Sequence, residues 1–165
     1  MSIRTIYLFG FVIVTSILMT SIYFQVIDGI MPCPLCTLQR IAFFLLGILF
    51  LTGVFFHTKR KAIFIINVVC GIISLAGIFF AGRQVWLQHF PSADNSECGV
   101  SLQYMMQVLP MNEVIQKIFS GSAECTQRGW EFLNLNMAEW ALIWFVIFFL
   151  LTIYLFVKGR GSKQS

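Results

Sequence analysis

The sequence predicts an all-α fold, a four-transmembrane-helix bundle with a long outer loop carrying a short amphipathic helix, and three observations carry that prediction. The 165 residues are 58% hydrophobic and only 11% charged, which departs from the composition of ordinary soluble domains. Four charge-free intervals, 5–27, 41–58, 62–82 and 140–157, each approach the roughly 20 apolar residues that cross a bilayer. The basic residues Arg4, Lys59, Arg60, Lys61, Lys158, Arg160 and Lys163 all fall on one side of such an arrangement, and by the positive-inside rule that side is cytoplasmic.

Taken in order, the elements form a single integral membrane domain with spans at about 5–27, 38–58, 62–82 and 140–157. The first span exceeds the 7 to 15 apolar residues of a signal peptide, and no small-x-small cleavage site follows it, so it reads as a retained anchor. An outer connection at about 28–37 leads to the second span, and three basic residues join the second span to the third. The 57 residues 83–139 then form an outer loop before the last span. All seven acidic residues fall on the outer side, where Arg40, Arg83, Lys117 and Arg128 oppose them. The net charge of +4 therefore reflects topology, and no basic cluster beside stacking aromatics points to nucleic acid.

Within the long loop, Met111, Val114, Ile115, Ile118 and Phe119 follow a helical stripe after Pro110. Such a helix either covers the outer end of the bundle or lies on the membrane surface. Trp86, Trp130, Trp140 and Trp144 fall in the outer half of the arrangement, and read as interface anchors. No glycine-rich phosphate loop or nucleophile-elbow serine supports phosphoryl transfer or serine hydrolysis.

Four of the five cysteines, Cys33, Cys36, Cys98 and Cys125, lie on the outer side, while Cys70 sits inside the third span and reads as a small core hydrophobe. The outer four could staple the loops as two disulfides in an oxidising compartment. A Cys-x-x-Cys bridge, however, closes too short a loop to constrain the unfolded chain strongly, and is a common redox centre. Pro34 suits the first turn of a helix, which places Cys36 near a helix N-terminus, where the partial positive charge favours a thiolate. Arg40, one turn on, adds a fixed positive charge on the same face and can donate to a carbonyl or phenolate oxygen. A bridge between Cys98 and Cys125 would close a longer polar segment, suited to exchange with an outside protein. His89, at the end of GRQVWLQH, is either a polar cap or a donor to a bound ligand.

Together CPLCTLQR, GRQVWLQH, the later pair Cys98 and Cys125, and CTQRGWEFLNLNMAEW resemble the DsbB family of bacterial membrane proteins over nearly the whole chain. The resemblance implies a multi-pass protein of the bacterial inner membrane with both termini cytoplasmic and the outer loops periplasmic. It implies an enzyme, a quinone-dependent protein-disulfide oxidoreductase that reoxidises a periplasmic, thioredoxin-fold DsbA-like partner and reduces ubiquinone or menaquinone. On the same analogy Cys98 accepts the partner's thiolate, the released Cys125 attacks the first pair, and Cys36 is the sulfur beside the quinone with Cys33 resolving it. Arg40 and His89 would contact the quinone. Two other readings compete. A vitamin K epoxide reductase-like enzyme shares the two cysteine pairs and quinone chemistry but places its loop pair before the Cys-x-x-Cys, and a non-enzymatic metal-binding membrane protein would need reduced thiolates in an oxidising compartment.

Overall fold

A computed structural model of the chain describes residues 3–28, 33–90, 107–108, 110, 113, 131–132 and 135–161. Among them four helices are long and apolar enough to cross a membrane: α1 (Ile3–Asp28), α2 (Pro34–Phe55), α3 (Arg60–His89) and α4 (Met137–Gly161). Cys98, Cys125, Trp130 and all five residues of the amphipathic stripe lie outside the described residues. Of the segment 111–119 only Glu113 is described; it is helical, its amide donating to the Pro110 carbonyl at 3.0 Å.

In hydrocarbon a polar side chain has no water to turn to, so it must bond within the protein. The hydroxyls of Thr15, Ser16 and Thr20 on α1 donate to the carbonyls of Phe11, Val12 and Ser16, and Thr152 on α4 donates to Phe148. Large apolar side chains such as Phe9, Phe44, Ile65 and Leu150 remain exposed on the outside of the bundle, as a lipid-facing surface requires.

α2 starts at Pro34, four residues before the expected span. Cys33 has an extended backbone and acts as the N-cap, and its sulfur accepts the Cys36 amide at 3.2 Å. Proline at the first helical position has no amide to leave unsatisfied. α3 runs on to His89, seven residues past the charge-free interval. Arg83 ends the stretch that hydrocarbon tolerates but does nothing to end the helix, which at 30 residues is about 45 Å long.

The helices pack α1 on α2, α2 on α3, and α3 on α4, whereas α1 and α4 do not pack along their lengths. An aromatic column joins α1, α2 and α4 at the centre. Tyr7 meets Phe50, Phe50 meets Phe148, and Phe43 stacks on Phe145 with ring centroids 4.1 Å apart. The Tyr7 hydroxyl donates to Asn67 Oδ1 on α3 at 2.6 Å, satisfying both buried groups. Two glycines make room for this column: a Cβ at Gly53 would lie 2.6 Å from the Tyr7 ring, and one at Gly77 would overlap the Phe145 ring.

Before α4, residues 131–132 (β1) and 135–136 (β2) form a small antiparallel ladder pairing Glu131 with Asn136 and Phe132 with Leu135. Asn136 then caps α4 in a reciprocal box. Its Oδ1 accepts the Glu139 amide at 2.9 Å, and Glu139 Oε2 accepts the Asn136 amide at 2.8 Å. The Asn136 side chain also donates to Gln88 Oε1 at 2.7 Å, tying the start of α4 to the end of α3.

Gly77→Ala is expected to destabilise the bundle by about 1–3 kcal/mol through overpacking against Phe145. Gly82→Ala, where a Cβ meets nothing within 4 Å, should leave stability unchanged or raise it by up to about 1 kcal/mol. Thermal unfolding in detergent compares them, and equal midpoints would remove the Gly77 contact as the constraint on helix spacing. Asn136→Ala removes a cap and an interhelical bond, and should lower stability by about 1–2 kcal/mol in the same assay. An unshifted midpoint would leave packing alone to hold the start of α4.

Candidate redox site

The capped first turn of α2 sets the site. Cys33 is buried against Leu35 and Leu87, with Phe80 alongside, and its sulfur adjoins that of Cys36 at 2.6 Å. Cys36 is partly exposed and faces a different environment. It lines a cavity of about 360 Å³ together with Gln39, Arg40 and Phe43 of α2 and Gln84 of α3. The remaining walls are Ser16, Ile17, Leu18, Thr20 and Ser21 of α1, and Met137, Ala138, Trp140, Ala141 and Trp144 of α4. The cavity therefore lies where α1 and α4 fail to meet, and Cys33 is not on its wall.

Arg40 crosses toward α1. Its Nε donates to Ser21 Oγ at 2.9 Å, Nη2 to the Ser21 carbonyl at 3.2 Å, and Nη1 to Gln25 Oε1. A guanidinium in a fixed fork is thus held at one end of the cavity by the last turns of α1. Two buried amides complete that end: Gln39 Nε2 donates to Gln84 Oε1 at 2.7 Å, and Gln84 Nε2 donates to Cys36 Sγ at 3.0 Å.

The structure brings together Cys33, Cys36 and Arg40, as the sequence expected of neighbouring positions, and places His89 elsewhere. The His89 imidazole is not on the cavity wall. Its Nδ1 donates to the Val85 carbonyl at 3.0 Å, and Nε2 lies 3.8 Å from Glu139 Oε1 with the side chain 43% exposed. Trp140 and Trp144, read from sequence as anchors, instead line the cavity, because the side of α4 they occupy faces the gap. Sequence reasoning missed Ser21, Gln25, Gln39 and Gln84. Gln39 sits inside the CPLCTLQR segment and Gln25 is polar within an apolar interval, a signal that was available. Nothing in the sequence pairs Gln39 with Gln84, 45 positions away.

Comparison with known proteins shows the family. The family described as disulfide bond formation protein DsbB matches residues 3–155. Disulfide bond formation protein B of Methylococcus capsulatus is 35% identical over 145 residues, covering 88% of each chain. The Nitrosococcus oceani protein of the same name is 34% identical over 160 residues, covering 97% of this chain and 94% of its own. Disulfide bond formation protein B 1 of Pseudomonas aeruginosa is 36% identical over 155 residues, covering 94% and 95%. With four membrane-length helices, a capped Cys-x-x-Cys and this near-complete coverage, the chain belongs to the DsbB family of quinone-linked membrane thiol-disulfide oxidoreductases.

Proposed function

We infer that this protein reoxidises a periplasmic DsbA-like dithiol oxidase and passes the electrons to ubiquinone or menaquinone in the bacterial inner membrane, with both termini cytoplasmic. The observation that carries the reading is the division of the Cys-x-x-Cys pair, with Cys36 on the wall of an apolar cavity and Cys33 off it. Two sulfurs of one redox pair thereby face different reactants.

The cavity fits a quinone ring. Its volume of about 360 Å³ falls within the range of small-molecule sites, its walls include Ile17, Leu18, Phe43, Trp140 and Trp144, and its polar end presents a sulfur and a guanidinium. Cys36, Arg40 and Gln84 would hold the ring end, and α1 and α4 its apolar remainder. When bound, the quinone supplies a two-electron acceptor. His89 reaches this region through Glu139 and the start of α4, and so would influence the site at second hand.

The protein's own steps are thiol-disulfide exchanges. The partner's thiolate attacks Cys98, breaking the Cys98–Cys125 bond and leaving the electron pair on Cys125. The Cys125 thiolate attacks Cys33, forming a Cys33–Cys125 bond, and the electron pair of the broken Cys33–Cys36 bond stays on Cys36. The partner's second thiolate resolves its own mixed disulfide and releases Cys98 as a thiolate, which attacks Cys125, re-forms the Cys98–Cys125 bond and frees Cys33, so the partner leaves oxidised by two electrons and the Cys33–Cys36 pair is left reduced. The positive end of α2 and the nearby guanidinium favour the Cys36 thiolate. Cys33 is only 3% exposed, so the outer loop must reach in to bring the Cys125 thiolate to its sulfur.

The decisive experiment adds reduced thioredoxin-fold oxidase to purified protein without oxygen and follows quinone absorbance, using ubiquinone and menaquinone in turn. The parent chain should reduce one of them and Cys33→Ala should not sustain it; reduction by neither quinone, or equal reduction by the variant, would overturn the reading. Arg40→Ala should raise the quinone KM about tenfold or more, the worth of a charge-assisted hydrogen bond, while the disulfides still form. An unaltered KM would take Arg40 out of quinone binding.

A further inference from the structure

Gln39 and Gln84 are both only 5% exposed, deep in a bundle whose other contacts are largely apolar. A buried primary amide is costly unless its polar atoms are paired, and a position needing only volume is better filled by leucine or methionine. These two amides are paired in a directed way. Gln39 Nε2 donates to Gln84 Oε1 at 2.7 Å, which occupies the carbonyl end of Gln84 and turns its nitrogen toward Cys36 Sγ at 3.0 Å. The hydrogen bonds of the guanidinium one turn on go instead to Ser21 and Gln25 on α1.

A thiolate is a far better acceptor than a thiol, so an N–H aimed at sulfur stabilises the charged form selectively. We propose that Gln84 is a catalytic residue that holds Cys36 as the thiolate by donating to its sulfur, and that Gln39 is the positioning residue that turns the Gln84 amide toward it. The proposal rests on Cys33 and Cys36 being the redox pair. When an incoming thiolate bonds to Cys33, the Cys33–Cys36 bond breaks and its electron pair stays on Cys36 Sγ. No proton moves, and Gln84 keeps its hydrogen while donating. A neutral amide stabilises that leaving sulfur without adding a second cation to an apolar cavity.

The charged and titratable groups around Cys36 among the described residues are few. Cys33 precedes it on the same turn and Arg40 follows it one turn on. The cavity-lining residues contributed by α1, α3 and α4 are uncharged, and Glu139 on α4 is engaged with Asn136 and His89.

The test measures the thiolate directly. In the Cys33→Ser background, where serine retains an N-cap acceptor, full-length reduced protein in detergent is alkylated with iodoacetamide across a pH series, and modification of Cys36 is quantified by mass spectrometry. Gln84→Met keeps the side-chain volume and removes the donor. It should move the alkylation midpoint up by about one pH unit, so that Cys36 reacts about tenfold more slowly at pH values below both midpoints. Gln39→Met should move it the same way by less, and should add nothing to Gln84→Met, as expected of groups acting in series. An unmoved midpoint in Gln84→Met would overturn the proposal, since a packing role alone predicts that result. If Gln84→Met fails to fold, Gln39→Met decides, because it leaves Gln84 in place and an unmoved midpoint there removes the directed pair. Neither partner nor quinone is present, so failure of quinone reduction with the midpoint shift intact would overturn the electron route and leave the amide pair standing.

Discussion

The site depends on the cap that Cys33 places on α2. A helix N-terminus leaves amides without partners, and here the Cys33 sulfur takes the acceptor role usually filled by a serine or aspartate oxygen. That contact fixes where the helix begins, which puts Cys36 in its first turn and Arg40 one turn further. Which way Cys36 and Arg40 then face is set by the packing of α2 against α1 and α3. The redox pair and the start of the helix are thus one feature rather than two.

Around this point the bundle separates two kinds of polar contact. The hydroxyls of Thr15, Ser16, Thr20 and Thr152 bond back to their own helices. Amides and charges between helices do the positioning: Arg40 to α1, Gln39 to α3, Asn136 to Gln88. Interhelical bonds of this kind are the adhesive available where lipid removes the usual hydrophobic drive for association. These three gather at the end of the bundle that carries Cys33 and Cys36, Tyr7 donates to Asn67 nearer the other end, and the centre is held by the aromatic column and two glycines.

Much of this was legible in the sequence. Charge-free intervals located the four helices, since a charge in hydrocarbon is costly wherever the chain goes. They placed the ends less well, because Arg83 stops a span without stopping a helix and Pro34 starts a helix inside what composition reads as a loop. Cys33, Cys36 and Arg40 could be read because they are neighbours on one helix, and local spacing carries their geometry. Gln39 with Gln84, and Arg40 with Ser21 and Gln25, could not, because packing of separate helices brings them together. The box Asn136-Met137-Ala138-Glu139 had a readable pattern, yet its tie to Gln88 did not. Cys98 and Cys125 rest on resemblance alone, lying outside the described residues.

Among the described residues, three of the bundle's four seams are closed by packing along their length, and the one between α1 and α4 is not. A molecule reaching Cys36 by that seam arrives sideways, from within the bilayer, and need never dissolve in water. What governs occupancy is then its mole fraction among the lipids, a two-dimensional concentration that an insoluble molecule can hold high. An apolar tail, a handicap for any ligand that must cross an aqueous phase, becomes the means of delivery.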